Sequence, residues 1–330
     1  MARESTVQTY DPAAAALSED WGVNLDGKQL ERWVLKLGGR LVRERDLAIA
    51  EFEQGHLPST ASNPPELLVI GVDGGRVQLR EKDALTQSRW KEDKVCTVTS
   101  YLKGDGAERE PEALVTTYAA SMAKTEEFGT IARLEAERRQ WKQATEVIAI
   151  ADSGNWIDPL IEREFGAIHQ RIADWAHAEE HLNDAARATQ GGSATAETTV
   201  LAERWTQWLW NGKVNDIIPE LRACAEKLGK PEKQDGPEHA RRVLHQNAGY
   251  FEKNKEYMDY PTYRAKGWPI GSGNTESGVK LFNKRVKGTE QFWQPKGIEA
   301  MLSLRALYLS TDDRWSVYWR SRPAYEKRAA

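Results

Sequence analysis

Residues 67–80, LLVIGVDGGRVQLR, decide the fold of this chain. Leu67 to Val72 is an apolar run rich in β-branched residues, the pattern of a buried strand. Asp73 follows at once, and then the pair Gly74-Gly75. The spacing predicts a strand ending in an acid, a turn at the glycines, and a second strand from Val77 to Arg80, together a hairpin. The layout recurs at 147–156, VIAIADSGNW, where a short strand from Val147 to Ala151 stops at Asp152. A third acid, Glu276, stands in 269–280, PIGSGNTESGVK, just inside a helix that opens from a Gly, Ser and Asn stretch.

Outward from these points, Val95 to Leu102 reads as a third strand, 111 to 143 as helical, Val147 to Ala151 as a fourth strand and Trp156 to Phe165 as a helix. Ile168 to Ala173 is the fifth strand, and a helix opens at Trp175. Three hairpin-joined strands followed by two added through crossovers describe an α/β fold, by analogy the RNase H-like mixed five-stranded sheet flanked by helices. Residues 193–262 lack a convincing strand and are expected to be an all-helical insertion domain. Upstream, 1–26 is polar, Ala-rich and aperiodic, a loose arm. A helix from Lys28 to Glu53 follows, with Leu30, Trp33, Val34, Leu37 and Leu41 at helical spacing and Gly38-Gly39 weakening it. The Ser, Pro and Asn stretch 55–65 reads as a linker. The expected organisation is 1–65 as arm and helix, a DNA-binding region cut short; 66–192 as the first part of the core; 193–262 as the insertion; and 263–330 as the closing catalytic helix and basic C-terminal region.

With 330 residues, 40% of them hydrophobic, the chain can bury a sizeable core. No apolar run approaches the roughly 18 to 20 residues of a membrane span, and the first twenty residues lack the layout of a secretory signal, so a cytoplasmic location with no membrane partner is expected. Cys96 and Cys224, far apart, read as reduced thiols. The net charge of −4 is unevenly spread: residues 241–330 carry 17 Lys and Arg against 9 Asp and Glu, a balance of +8, which leaves −12 for the rest. The basic third is the one that carries Glu276, which favours a phosphate-rich partner there over a merely solvated tail.

Two strand ends and one helix can bring Asp73, Asp152 and Glu276 together. Three carboxylates suit Mg²⁺ (or Mn²⁺), which prefers oxygen ligands, and a pair of ions about 3.5 to 4 Å apart serves phosphodiester chemistry. Asp73, on the central strand, is then the bridging ligand. Taken singly, each acid also has an ordinary structural reading, as a turn residue or as a carboxylate suited to a helix macrodipole. Asp174 and His177, one turn apart at a helix start, share a face and can hydrogen-bond, either as a plain cap or as a pair that orders the insertion beside the acids. His177 and His181 stand at i, i+4, but HAEEH lacks the Glu directly after the first His that the zinc-protease motif requires. After Gly271 to Ser277, the bases Lys280, Lys284, Arg285 and Lys287 suit a DNA backbone, and the absence of a GKS or GKT excludes a Walker motif. Of the thirteen tryptophans, Trp205, Trp208, Trp210, Trp315 and Trp319 fit helix packing, while Trp156 and Trp293 are candidates to stack on an unpaired base.

On GVDGGRVQ, IADSGNWI, DWAHAEEHL and above all GWPIGSGNTESGVK with KRVKGTEQFW and AMLSLRALYLSTDDRW, the chain from about residue 66 onward resembles the DDE transposases of bacterial insertion sequences, within them the ISKra-type group related to Mutator-like elements. The resemblance implies that Asp73, Asp152 and Glu276 are the catalytic and metal-binding triad and that Asp174 and His177 match a C/D-x-x-H signature. It implies Mg²⁺-dependent cleavage at transposon ends, strand transfer to target DNA, and a homo-oligomer assembled on DNA. The short region before residue 66 departs from the family, whose members carry a longer end-recognition region there. Two other readings share these residues: an RNase H-like metal-dependent nuclease without strand transfer, and a truncated or domesticated DNA-binding remnant.

Overall fold

The computed structural model describes residues 1–56, 63–106, 109–154, 156–166, 168–288 and 291–322. The middle of the expected linker at 55–65 and the last eight residues of the basic tail therefore lie outside the described residues. Three helices come first, α1 (Ala2–Val7), α2 (Tyr10–Trp21) and α3 (Gly27–Glu53). Strands β1 (Leu67–Gln78), β2 (Trp90–Leu102) and β3 (Glu112–Ser121) follow, then α4 (Thr125–Arg138), β4 (Glu146–Ala151), α5 (Ile157–Phe165), β5 (Gln170–Ala173) and α6 (Trp175–Ala188). The remainder is helical: α7 (Ala196–Trp210), α8 (Val214–Leu228), α9 (Ala240–Asn254), a 3₁₀ turn (Lys255–Tyr257), α10 (Tyr260–Ala265), α11 (Gly273–Val286), α12 (Pro295–Leu309) and α13 (Arg314–Arg320).

The five strands form one mixed sheet in the order β3-β2-β1-β4-β5. β1 and β3 run antiparallel to β2, whereas β4 runs parallel to both β1 and β5. This is the order and direction that an RNase H-like core requires. One face carries Leu68, Ile70, Val72, Cys96 and Val98 against Phe128 and Ile131 of α4 and Leu160 and Phe165 of α5. On the other face, Val69, Ile148, Ile150 and Ile172 pack on Leu182 of α6, and their core continues without a break into Trp205, Leu221, Leu244 and Phe251 of α7, α8 and α9. Val77 and Val95, farther along that face, meet Val279, Phe282 and Val286 of α11.

Three local expectations are corrected. The Gly74-Gly75 pair makes no hairpin: β1 runs straight through it, with Gly74 opposite Lys94 and Gly75 opposite Asp93. A Cβ on Gly74 would stand 2.9 Å from Glu92 Oε1, and one on Gly75 would stand 2.6 Å from Asp93 Oδ1, so these glycines permit close approach of β2 side chains. The reversal comes at 79–89, where Asp83 Oδ1 accepts from the backbone N–H of Leu85 (3.0 Å) and Thr86 (2.9 Å). Secondly, 111 to 143 is not all helical, because Glu112–Ser121 is β3. Its backbone is held on the open side by Thr311, whose N–H donates to Thr116 O at 2.9 Å. Thirdly, residues 1–26 are not a loose arm: α1 and α2 bury Ala2, Ala13, Ala14 and Leu17 in one cluster with Leu30, Val34, Ile298 and Met301. Among the described residues, no helix is long and apolar enough to cross a membrane.

Helix α3 survives its glycine pair because α12 uses it. A Cβ on Gly38 would meet the Ala300 carbonyl oxygen at 2.4 Å, whereas one on Gly39 would have nothing nearer than Arg43 Nη1 at 3.8 Å. Gly38→Ala is therefore expected to destabilise the chain by about 1–3 kcal/mol or more through overpacking. Gly39→Ala should stabilise it by up to about 1 kcal/mol through helix propensity. Urea unfolding of the two variants checks this, and equal effects would refute the assignment of Gly38 to the α3–α12 contact.

Candidate active site

The sheet register sets the acids side by side. Residues directly opposite one another share a face, and Gly71 lies opposite Ile150 on the parallel pair β1 and β4. Two residues on, the same alternation carries Asp73 of β1 and Asp152, one residue past β4, to one face. Each carboxylate is oriented by its own turn: Gly74 N–H donates to Asp73 Oδ1 at 2.6 Å, and Ser153 N–H donates to Asp152 Oδ1 at 2.7 Å. Among the described residues, the second oxygen of each takes no hydrogen bond.

Glu276 comes to this face in the first turn of α11. The helix lies close on the sheet because Gly71 leaves room for it: a Cβ there would overlap Thr275 Oγ1 at 1.8 Å. Thr275 Oγ1 hydrogen-bonds Thr97 Oγ1 at 2.8 Å, and Gly278 faces Tyr118, whose Cε1 would be 2.7 Å from a Cβ. The start of α11 is tied to the start of α6, since Ser272 N–H donates to Asp174 Oδ1 at 3.1 Å and its hydroxyl donates to Asp174 Oδ2. Burial raises the pKa of Asp73 above its ordinary value; the charges of Asp152 and Glu276 add to this, while the Gly74 N–H and the charge of His177 oppose it.

Glu276 leans toward α6. Among the described residues, the group of three candidate ligand atoms within 4.8 Å of one another is Asp174, His177 and Glu276, not the three acids. This cluster is a hydrogen-bonded one. Fully buried Asp174 accepts from Ser272, from Ala176 N–H (3.1 Å) and from His177 Nδ1 (2.8 Å). Burial alone would raise its pKa, but the His177 and Ser272 bonds bring it below the ordinary value. The bond to Asp174 in turn raises His177 to about 9, so both ring nitrogens carry protons at neutral pH and the imidazolium is no ligand as it stands. Glu276 Oε2 accepts from Lys280 Nζ at 3.1 Å. Carboxylate oxygens such as those of Asp73, Asp152 and Glu276 are the kind of donor a hard cation takes, and in this pose the three do not meet within 4.8 Å. The zinc alternative fails at its first ligand, since a doubly protonated His177 offers no lone pair.

The helical insertion reaches the acids through α9. Asn254 pairs with the Ser153 hydroxyl, and Arg171 donates to Asp158 Oδ1 (3.1 Å) and to Asp152 O (3.4 Å). Tyr250 stacks on His181 at 3.8 Å between ring centroids, and among the described residues its buried hydroxyl has no hydrogen-bond partner. Burial raises its pKa, with Asp152 and Asp174 adding to the effect.

Two candidate DNA contacts are corrected. Arg285 is 2% exposed: its Nε donates to Ser5 O at 2.6 Å and its guanidinium lies over the rings of Tyr10 (4.8 Å) and Trp293 (5.3 Å). Trp293 is 7% exposed and donates Nε1–H to Val286 O at 2.9 Å. Both serve the packing of α1 and α2 on α11. Lys280, Lys284 and Lys287 remain exposed. Trp156, half-buried, donates to Glu92 Oε1 at 3.1 Å, with Lys94 5.3 Å from its ring centroid.

No protein-family model matches the chain, and no curated protein matches it. Among solved structures, it is similar to a Drosophila P element transposase strand transfer complex at 11% identity and a TM-score of 0.38, over 95% of this chain and 92% of that one.

One group near the acids was not legible in the sequence. Asp93 of β2, in the charged run WKEDK, is fully buried opposite Gly75, and among the described residues neither of its side-chain oxygens has a hydrogen-bond partner. Burial, with Glu92 and Asp73 adding, raises its pKa from 3.8 to about 6. The folded chain therefore binds this proton more tightly than the unfolded chain, and stability falls as pH rises from about 4 to about 6. Above that window the cost is about 3 kcal/mol, at roughly 1.4 kcal/mol per pKa unit. Asp93→Asn is expected to remove most of that fall, seen as a higher urea midpoint than wild type at pH 7 and a matching one at pH 4. Parallel midpoints across the whole range would show the carboxylate to be compensated.

Proposed function

We propose that this chain is a DNA transposase that cleaves phosphodiester bonds at transposon ends and transfers the strands to target DNA, with Asp73, Asp152 and Glu276 as its catalytic carboxylates. The finer reading is a DDE enzyme of the kind found in bacterial ISKra-type insertion sequences, acting as a homo-oligomer on DNA. The observation that carries it is the gathering of three acids, from two parallel strands and one helix, on one face of the sheet, close enough that Asp152 and Glu276 raise the pKa of Asp73.

Asp73, Asp152 and Glu276 would hold two Mg²⁺ (or Mn²⁺), which supply an activated water or 3′-hydroxyl and stabilise the leaving oxygen. The chain's own residues prepare the site. The N–H groups of Gly74 and Ser153 fix two carboxylates so that one oxygen of each stays free. Asp174 keeps His177 cationic below about pH 9, which sets a positive charge beside Glu276 where a phosphate would add negative charge. Lys280 holds Glu276 in its present pose, and that lysine must yield when the carboxylate turns toward Asp73.

Glu276→Gln should abolish Mg²⁺-dependent cleavage of a labelled duplex and leave its DNA affinity within about twofold, because the exposed lysines of α11 are untouched. Cleavage by Glu276→Gln at the wild-type rate would refute the triad. Joining of the cut 3′ end to a second DNA separates a transposase from a nuclease. Replacing Lys284 and Lys287 by Ala should weaken binding to all sequences and flatten the slope of log affinity against log salt by about 0.9 for each lost phosphate contact. An unchanged slope in a salt titration would make these lysines an ordinary solvated face.

A further inference from the structure

We propose that the far end of the β1–β2 ribbon is a platform for unpaired DNA, reached from the acids by a track of lysines; the inference rests on DNA being the substrate. Helix α11 and β1 run the same way, since Thr275 sits over Gly71 at one end and Gln78 Nε2 donates to Gly288 O (3.2 Å) at the other. Along α11 from Glu276, and one residue past its end, the exposed lysines are Lys280, Lys284 and Lys287. At 1.5 Å per residue, Glu276 to Lys287 spans about 16 Å, the length of about five phosphates of one strand at roughly 3.4 Å each.

The track ends at two aromatic rings. Trp90 is 40% exposed, with Lys287 Nζ 5.6 Å from its centroid, and Phe292 is 41% exposed, with the Arg89 guanidinium carbon 5.3 Å from its centroid. Both rings are fixed by backbone: Trp90 lies opposite Gln78 in the sheet, Arg80 N–H donates to Trp293 O at 2.9 Å, and Arg80 Nε donates to Phe292 O at 3.3 Å. An exposed ring with a cation over one face offers its remaining exposed surface to a base whose phosphate meets the charge. A duplex hides its base faces, so the rings select a strand that is not paired. The pairing of each ring with a cation argues against an apolar protein partner, which would meet desolvated charges there.

The test compares a blunt duplex with the same duplex carrying a single-stranded extension of about six nucleotides, each bound by wild type and by Trp90→Ala with Phe292→Ala. Wild type is expected to prefer the extended DNA by roughly tenfold or more, from stacking of one or two bases. The double variant should lose that preference while keeping its affinity for the blunt duplex and its urea midpoint. Trp90→Tyr, which keeps a stacking ring, should retain most of the preference and covers the case in which the double variant fails to fold. No preference in wild type, or an undiminished one in the double variant, overturns the platform. Binding with the expected preference but without metal-dependent cleavage would support the platform and refute the transposase reading.

Discussion

The seam between α11 and β1 is the constraint on which the rest depends. Thr275 occupies the space that Gly71 leaves empty and bonds Thr97, while Gly278 accepts the edge of Tyr118. A helix held this close carries Glu276 to the face shared by Asp73 and Asp152. It also carries the lysines of α11 along β1, and its opposite side becomes the floor for α1 and α2, with Arg285 buried between them. A larger residue at Gly71 or Gly278 would lift the helix, and the site, the track and the packing of the first two helices would move together.

Electrostatics on this face oppose stability. Asp93 and the Tyr250 hydroxyl are buried without a hydrogen-bond partner among the described residues, and half-buried Asp73 is desolvated with only partial relief from Gly74 N–H and the charge of His177. Asp174 is the contrast, for its oxygens are spent on Ser272, Ala176 and His177, and it ties α6 to α11. Uncompensated burial of acids is costly in a fold that needs only a core, and groups with pKa values perturbed in this way cluster at functional sites.

The class of the fold was legible because the first half of β1, and all of β4 and β5, are short apolar runs, β4 and β5 stopping just before Asp152 and Asp174, and the helical spacing of α3 is strong. The strand count was reached through two errors that cancel. Gly74-Gly75 looked like a turn, since nothing local distinguishes a glycine that reverses the chain from one that admits a neighbour's carboxylate. EALVTTYAAS reads as helix because Ala and Glu flank its β-branched centre, and the partner that makes it a strand, β2, lies elsewhere in the chain. Asp152 and Glu276 stand at element boundaries, whereas Asp73 lies inside β1. Arg285 and Trp293 were assigned to solvent by their basic neighbourhood, and their burial follows from α1 and α2, which carry too few large apolar residues to signal packing. Asp93 gave no signal, because a carboxylate in a charged run is ordinarily exposed.

The central claim is that Asp73 anchors a divalent cation site shared with Asp152 and Glu276. Titration of Mn²⁺ followed by electron paramagnetic resonance, with DNA present, tests it directly on the full chain. Wild type is expected to bind two Mn²⁺ tightly and Asp73→Asn to lose both, with the DNA still bound. Equal Mn²⁺ binding by Asp73→Asn and wild type would contradict the claim.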